Sequence, residues 1–287
     1  MYDYFFFSAP QLKRDPLGSS NDLLSMTRYH WCSVVAALLG AGRPVRAQDL
    51  PFPYKAFVIR DSIALTLLRY DACAWRSSDA LLQHDSASLG RLGPEWLCYV
   101  RGGRWNAVFG RFDSTTDRYD IVVHYVLADT LPLHSTEPLD TAVVSAGARA
   151  IHLAHALLPS SFDSSGFSFN TYVLPDPSHL TVWILPAWQS TGEVVFGGEG
   201  EYAFDPTGHQ LKTRRVVEGP FRWFRPDSTV AFRIDSHSPD VPTVGDLFFF
   251  HLVRRSFKSI RIKTGKYSSS LVPTDSGEVW VHVILPP

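Results

Sequence analysis

The chain has 287 residues, of which 45% are hydrophobic and 19% are charged. This composition excludes a disordered or fibrous protein, and the length suffices for one large domain or two modest ones. The 27 Lys and Arg residues nearly balance the 28 Asp and Glu residues, so the formal net charge is −1. Such a charge gives no global reason to expect nucleic acid or a membrane surface as a partner.

A three-part pattern near the N-terminus predicts a secretory signal peptide over residues 26–47. Arg28 supplies positive charge, residues 31–41 form an uncharged and mostly apolar run, and small residues at Val45 and Ala47 precede a cleavage position. The run is too short for a transmembrane helix, which needs about 20 residues. We therefore expect a soluble protein, secreted or periplasmic, whose mature form begins near Gln48. The alternative is a cytosolic helix that happens to share the pattern.

Residues 1–25 precede the predicted initiator Met26 and are expected to be a non-native N-terminal extension. Residues 1–47 hold 5 Lys and Arg and 3 Asp and Glu, so the remaining 240 residues hold 22 and 25, a net charge of −3. Cys73 and Cys98 are the cysteines that remain. In an oxidising compartment these two could pair as a disulfide, or they could be two buried free thiols.

Runs of strand signals separated by a few helices predict an α+β fold with mostly antiparallel sheets. They include an antiparallel meander over residues 95–126 and a hairpin formed by residues 169–173 and 180–185. Apolar spacing predicts a helix over residues 55–70, and residues 77–79 read as the N-cap of a short second helix. A long helix is expected over residues 137–158 with Thr136 as its cap, and a short one over residues 244–254.

The chain is expected to divide near residues 159–166, a stretch rich in serine that also contains proline and glycine. An N-terminal α+β lobe would cover residues 48–158. A C-terminal lobe, mainly β with one helix, would cover residues 167–287.

One segment carries residues with metal-site chemistry. Asp235 and His237 end a predicted strand, a proline-containing loop follows, and Thr243 and Asp246 open a predicted helix. Residues 235–246 faintly resemble a degenerate metal loop of the JAB/MPN (JAMM) isopeptidases. That family's pattern is His-x-His, a loop and Ser-x-x-Asp, with a Glu on an earlier strand. Here Asp235 replaces the first His, Thr243 replaces the Ser, and the loop is shorter.

The resemblance implies a three-ligand zinc site with one open position for water. The implied ligands are Asp235, His237 and Asp246. The residues implied for catalysis are Glu199 or Glu201 as the general base, with Thr243 in the position of the family's serine. The structural alternative is a helix cap, in which Thr243 caps the helix and Asp246 completes a capping box.

A second feature is a basic cluster near the C-terminal end of the predicted short helix. Its residues are Arg254, Arg255, Lys258, Arg261 and Lys263. Such a cluster could bind an anionic glycan, a lipid headgroup or an acidic protein, or it could be a solvated surface only.

We expect an exported, non-catalytic protein that binds an extracytoplasmic ligand or partner. On this hypothesis it needs no cofactor and binds no nucleic acid. The alternative hypothesis is a degenerate or active JAMM-like zinc-dependent hydrolase.

Overall fold

The structure, a computed structural model, describes residues 52–84, 86–128, 131–275 and 277–286. The predicted N-terminal extension, the predicted signal peptide and Gln48 lie outside these residues. Within them the fold is α+β with mostly antiparallel sheets, as the sequence predicts. None of the helices in the described ranges is long and apolar enough to span a membrane.

The first helix is longer than predicted. Helix α1 is a single element over Tyr54–Leu81, so the expected second helix start at residues 77–79 is wrong. The reason is local, because the Ser78 hydroxyl donates to the carbonyl of Ala74 four residues earlier. A serine that bonds back to its own helix is not available to cap a new one.

The first sheet is the predicted antiparallel meander. It follows α1 and a short helix α2 (Ser86–Leu89), and its strand order is β1-β2-β3-β4. The strands are β1 (Trp96–Arg101), β2 (Arg104–Asp113), β3 (Arg118–Ala128) and β4 (Leu131–His134).

The next helix begins later than predicted. Helix α3 covers Thr141–Ala156, and its N-cap is Asp140 rather than Thr136. The Asp140 carboxylate accepts the backbone N–H groups of Ala142 at 3.1 Å and Val143 at 3.3 Å. A carboxylate satisfies these donors and also complements the helix dipole, which explains why the start falls here. A short helix α4 (Ser160–Asp163) follows.

The second sheet is antiparallel, with strand order β5-β6-β8-β9, and a two-stranded ribbon of β7 and β10 lies beside it. The predicted hairpin that joins β5 to β6 is confirmed. The strands are β5 (Phe169–Asp176), β6 (His179–Pro186), β7 (Val194–Phe196), β8 (Glu199–Phe204), β9 (Leu211–Val217) and β10 (Arg222–Phe224).

The third sheet has the order β11-β12-β13-β14. Its first two strands are parallel, because helix α5 carries the chain across between them, and the others are antiparallel. The predicted short helix is confirmed closely, and a 3-10 turn (Arg254–Ser256) follows it. The elements are β11 (Ala231–Asp235), α5 (Val244–Val253), β12 (Ser259–Lys263), β13 (Tyr267–Thr274) and β14 (Gly277–Ile284).

Buried side chains from both predicted lobes belong to one hydrophobic cluster. Helix α1 packs against the first sheet and also against α5 of the third-sheet region. The division near residues 159–166 stays a prediction, although Phe162 within that stretch is itself buried. The core thus places α5 and the ends of β6, β7 and β8 side by side, and a narrow cleft lies where they meet.

Candidate functional site

The cleft beside the N-terminal end of α5 has a volume of about 30 Å³, which is room for little more than water. Four of the six residues singled out by the JAMM-like resemblance line it. They are Glu199, His237, Thr243 and Asp246. Glu201 and Asp235 are not among its lining residues. The fold therefore places four of these six side chains around one cleft and leaves Glu201 and Asp235 outside its lining.

Thr243 and Asp246 form the capping box that the sequence predicts as the structural alternative. The Thr243 hydroxyl accepts the backbone N–H of Asp246 at 3.0 Å, and the Asp246 carboxylate accepts the backbone N–H of Thr243 at 2.7 Å. The Ser236 hydroxyl also donates to the same carboxylate oxygen, Oδ2. Burial raises the pKa of Asp246, and these hydrogen bonds act in the opposite direction. The Asp246 carboxylate thus completes the capping box at the N-terminus of α5.

Glu199 is buried and ion-paired. Its carboxylate lies 2.5 Å from the Arg215 guanidinium, which also contacts Glu201 at 2.7 Å. Burial raises the pKa of Glu199, while Arg215 and Thr243 favour the ionised form. The carboxylate passes so close to Gly245 that a Cβ there would lie 2.6 Å from the Glu199 Oε2 atom. The Arg215 guanidinium therefore pairs with both carboxylates, Glu199 and Glu201, that are implied as general bases.

The structure does not bring all three implied metal ligands to one place, because His237 and Asp246 line the cleft and Asp235 does not. Asp235 is directed to the outer face of β11, where its carboxylate lies 3.0 Å from Arg233. Asp246 is buried in the capping box, and His237 is exposed. Among the residues that the structure describes, no three His, Cys, Asp or Glu side chains are grouped as a metal site. Asp235 is thus outside the cleft that His237 and Asp246 line.

The basic cluster is divided by the fold. Arg261 and Lys263 are exposed on the outer face of β12, whereas Ile260 and Ile262 are buried on its inner face, as the alternation predicts. Lys258 is exposed just before the strand. Arg254 is different, because its side chain is only 14% exposed and pairs with Glu278 of β14.

The neighbouring strand adds a cation that sequence reasoning missed. In the parallel register of β11 and β12, Arg233 lies directly opposite Arg261, and Asp235 lies opposite Lys263. We call the exposed side chains of Arg233, Lys258, Arg261 and Lys263 the basic face. The alternation of exposed and buried residues along β11 indicates that the Arg233 side chain is exposed. That Arg233 lies beside the cations of β12 follows only from the pairing of the two strands. Arg255 is exposed in the preceding 3-10 turn.

Comparisons with protein-family models, with curated proteins and with solved structures give no match to this chain.

Proposed function

We propose that this chain is an exported, non-catalytic protein that binds a multivalent anion through the basic face. The observation that carries the proposal is the pair of arginines, Arg233 and Arg261, held directly opposite each other on adjacent strands. Like charges in that position repel, and the Asp235 carboxylate, which pairs with Arg233, balances only one of the three cations Arg233, Arg261 and Lys263. A bound anion would offset this repulsion, since guanidinium groups pair well with phosphate, sulfate and carboxylate.

The cleft supports the non-catalytic part of the proposal. Its two buried carboxylates, Glu199 and Asp246, are engaged by Arg215 and by the capping box. A general base must be able to accept a proton from water or substrate. These carboxylates instead hold β9 to β8 and begin α5, so their best-supported role is structural.

The anion proposal is tested by charge reversal. The variant Arg233→Glu, Arg261→Glu, Lys263→Glu is expected to elute from a heparin column at lower salt than the wild type. Its apparent affinity should fall at least tenfold at low salt, because the loss of three exposed charges at about 0.5 kcal/mol each already removes about 1.5 kcal/mol and the three new carboxylates add repulsion. A fall in affinity below twofold would contradict the proposal.

A matched control separates a specific surface from net charge. Arg69, Arg118 and Lys212 are exposed cations on α1, β3 and β9. Reversing these three gives the same change in net charge, and retention should remain close to that of the wild type. Equal losses in both triple variants would show that only the overall charge matters.

Export is supported by the signal-peptide pattern and has its own test. Protein produced from Met26 in a secreting host should be recovered outside the cytoplasm with an N-terminus near Gln48. An uncleaved chain that remains in the cytoplasm would contradict export without bearing on anion binding.

We keep a second candidate, the JAMM-like zinc-dependent hydrolase, because Glu199, His237, Thr243 and Asp246 share one cleft. Two observations argue against it: Asp235 pairs with Arg233 outside the cleft, and Asp246 is engaged in the capping box. Purified protein should therefore contain well under one zinc per chain by atomic emission, with no further loss in His237→Ala. One zinc per chain that disappears in His237→Ala would favour the hydrolase over the non-catalytic proposal.

A further inference from the structure

The third sheet has an outer face that carries cations at one side and valines at the other. Strand pairing aligns one residue from each strand in a single row, and these residues are Asp235, Lys263, Ser268 and Val283. Residues that are paired in this way direct their side chains to the same face of a sheet. The outer face of the third sheet therefore runs without interruption from the basic face, on β11 and β12, to β14.

The apolar part of the outer face consists of four valines that are between 38% and 56% exposed. They are Val272 of β13 and Val279, Val281 and Val283 of β14. The opposite side of β14 belongs to the core, where Trp280 packs against Phe57 of α1. Within the part of the chain that the structure describes, the valines thus remain in contact with water. Contiguous exposed apolar side chains of this kind mark interaction surfaces.

The charged part of the outer face is positive. Arg233, Arg261 and Lys263 are exposed there. Asp235 is the one acidic residue among the outward-facing positions of the four described strands, and its carboxylate pairs with Arg233 at 3.0 Å. One carboxylate therefore accompanies three cations, while the serines and valines of β13 and β14 add no charge.

We propose that the outer face of the third sheet binds the surface of a bilayer that contains anionic lipids. The inference rests on the anion binding proposed above and names lipid headgroups as the source of the anion. It does not depend on export. The cations of β11 and β12 pair with lipid phosphates, and the valines of β14 enter the boundary between headgroups and acyl chains. Binding of this type combines electrostatic attraction with the burial of apolar area.

The valines favour a bilayer over other anionic partners. A valine side chain contributes to binding where it leaves water, and a sulfated glycan offers it no apolar surface. Neighbouring strands are about 4.8 Å apart, so the valines of β14 lie about 10 Å from the cations of β12. A bilayer presents phosphates and acyl chains over that distance, and its fluid surface needs no shape that matches the sheet.

The test measures co-sedimentation of the full chain with lipid vesicles at low salt. The chain is kept reduced, because Cys73 and Cys98 are buried free thiols in the structure. One set of vesicles is phosphatidylcholine, and the other contains about one-third phosphatidylglycerol. We expect at least tenfold tighter binding to the anionic vesicles, with a difference that shrinks as salt is added. Equal binding to both sets, or binding to neither, would overturn the proposal.

The valines are tested by Val281→Thr/Val283→Thr, which keeps the branched shape of both side chains. Affinity for anionic vesicles should fall about fivefold, because less apolar area is buried, while elution from heparin should not change. Val100 and Val143 are similarly exposed on β1 and α3, and Val100→Thr/Val143→Thr serves as the matched control. Its vesicle affinity should stay close to that of the wild type. No loss in the β14 variant, or equal losses in both variants, would overturn the proposal.

A second substitution does not depend on how well the threonine variant folds. Val281→Ile/Val283→Ile enlarges the apolar area of β14 and should strengthen binding to anionic vesicles about twofold or more. Circular dichroism checks that both β14 variants keep the wild-type secondary structure. Unchanged or weaker binding of a folded isoleucine variant would contradict insertion of these side chains.

The charge-reversal variant Arg233→Glu, Arg261→Glu, Lys263→Glu separates this inference from the proposed function. It should lose affinity for heparin and for anionic vesicles alike. A loss for heparin with unchanged vesicle binding would overturn lipid binding by this face and leave anion binding in place. Unchanged retention on heparin would contradict the anion proposal itself. Loss of heparin retention in a protein that never binds vesicles would point to an acidic protein or a glycan instead of lipid.

Discussion

Replacing Asp61 by alanine is expected to lower the free energy of unfolding by about 2–5 kcal/mol, because two hydrogen-bond donors in the packed interior lose their acceptor, at about 1–3 kcal/mol each. Asp61 lies on α1 and is 5% exposed. Its carboxylate accepts a hydrogen bond from His251 of α5 at 2.7 Å and from the Trp280 indole of β14 at 3.1 Å. The substitution leaves both donors buried without this acceptor.

The measurement is equilibrium unfolding in urea, followed by far-UV circular dichroism. Asp79 is the matched control, because it lies on the same helix but is exposed. Asp79→Ala should change the free energy of unfolding by less than about 0.5 kcal/mol. A similarly small effect of Asp61→Ala would mean that the three elements are held together without this carboxylate.

The second large effect is expected at Thr243. Thr243→Val keeps a branched side chain of similar size but removes the hydroxyl that caps α5. We expect a loss of about 1–3 kcal/mol, the cost of leaving a buried donor unsatisfied, compared with about 1 kcal/mol for the loss of an ordinary exposed cap. The unsatisfied group is the backbone N–H of Asp246, because its acceptor is the Thr243 hydroxyl.

Two comparisons make the Thr243 result specific. Thr243→Ser retains the hydroxyl and should lose less than about 1 kcal/mol in the same urea titration. Asp140→Ala removes the exposed cap of α3 and should cost about 1 kcal/mol. If Thr243→Val costs no more than Asp140→Ala, burial of the capping box adds nothing to its strength.

Local patterns allowed much of the fold to be predicted. Alternating residues and turn signals identified the meander of the first sheet and the hairpin that joins β5 to β6, because these pairings involve neighbouring segments. The capping box of α5 was also predictable, since Thr243 and Asp246 are three residues apart. The start of α3 was placed too early because Thr136 and Asp140 are both acceptable caps by sequence.

The rest depends on contacts between distant segments. Arg215 meets Glu199 and Glu201 only because β8 and β9 pair in one particular register. Arg233 meets Arg261 only because α5 carries the chain across to a parallel strand. No spacing in the sequence signals either contact. The sequence therefore predicts Glu199 and Glu201 as candidate site residues but not the Arg215 guanidinium that pairs with both of them.

The contacts of Asp61 also bear on the order in which the protein can be completed. Its partners His251 and Trp280 lie 190 and 219 residues later in the chain. At about 5–20 residues per second, a ribosome takes roughly 10–40 s to reach them after α1 has been made. During that interval α1 lacks its contacts with α5 and β14. The hairpin of β13 and β14 is therefore the last element to be made, and a chain that ends before Trp280 lacks the indole N–H that donates to Asp61.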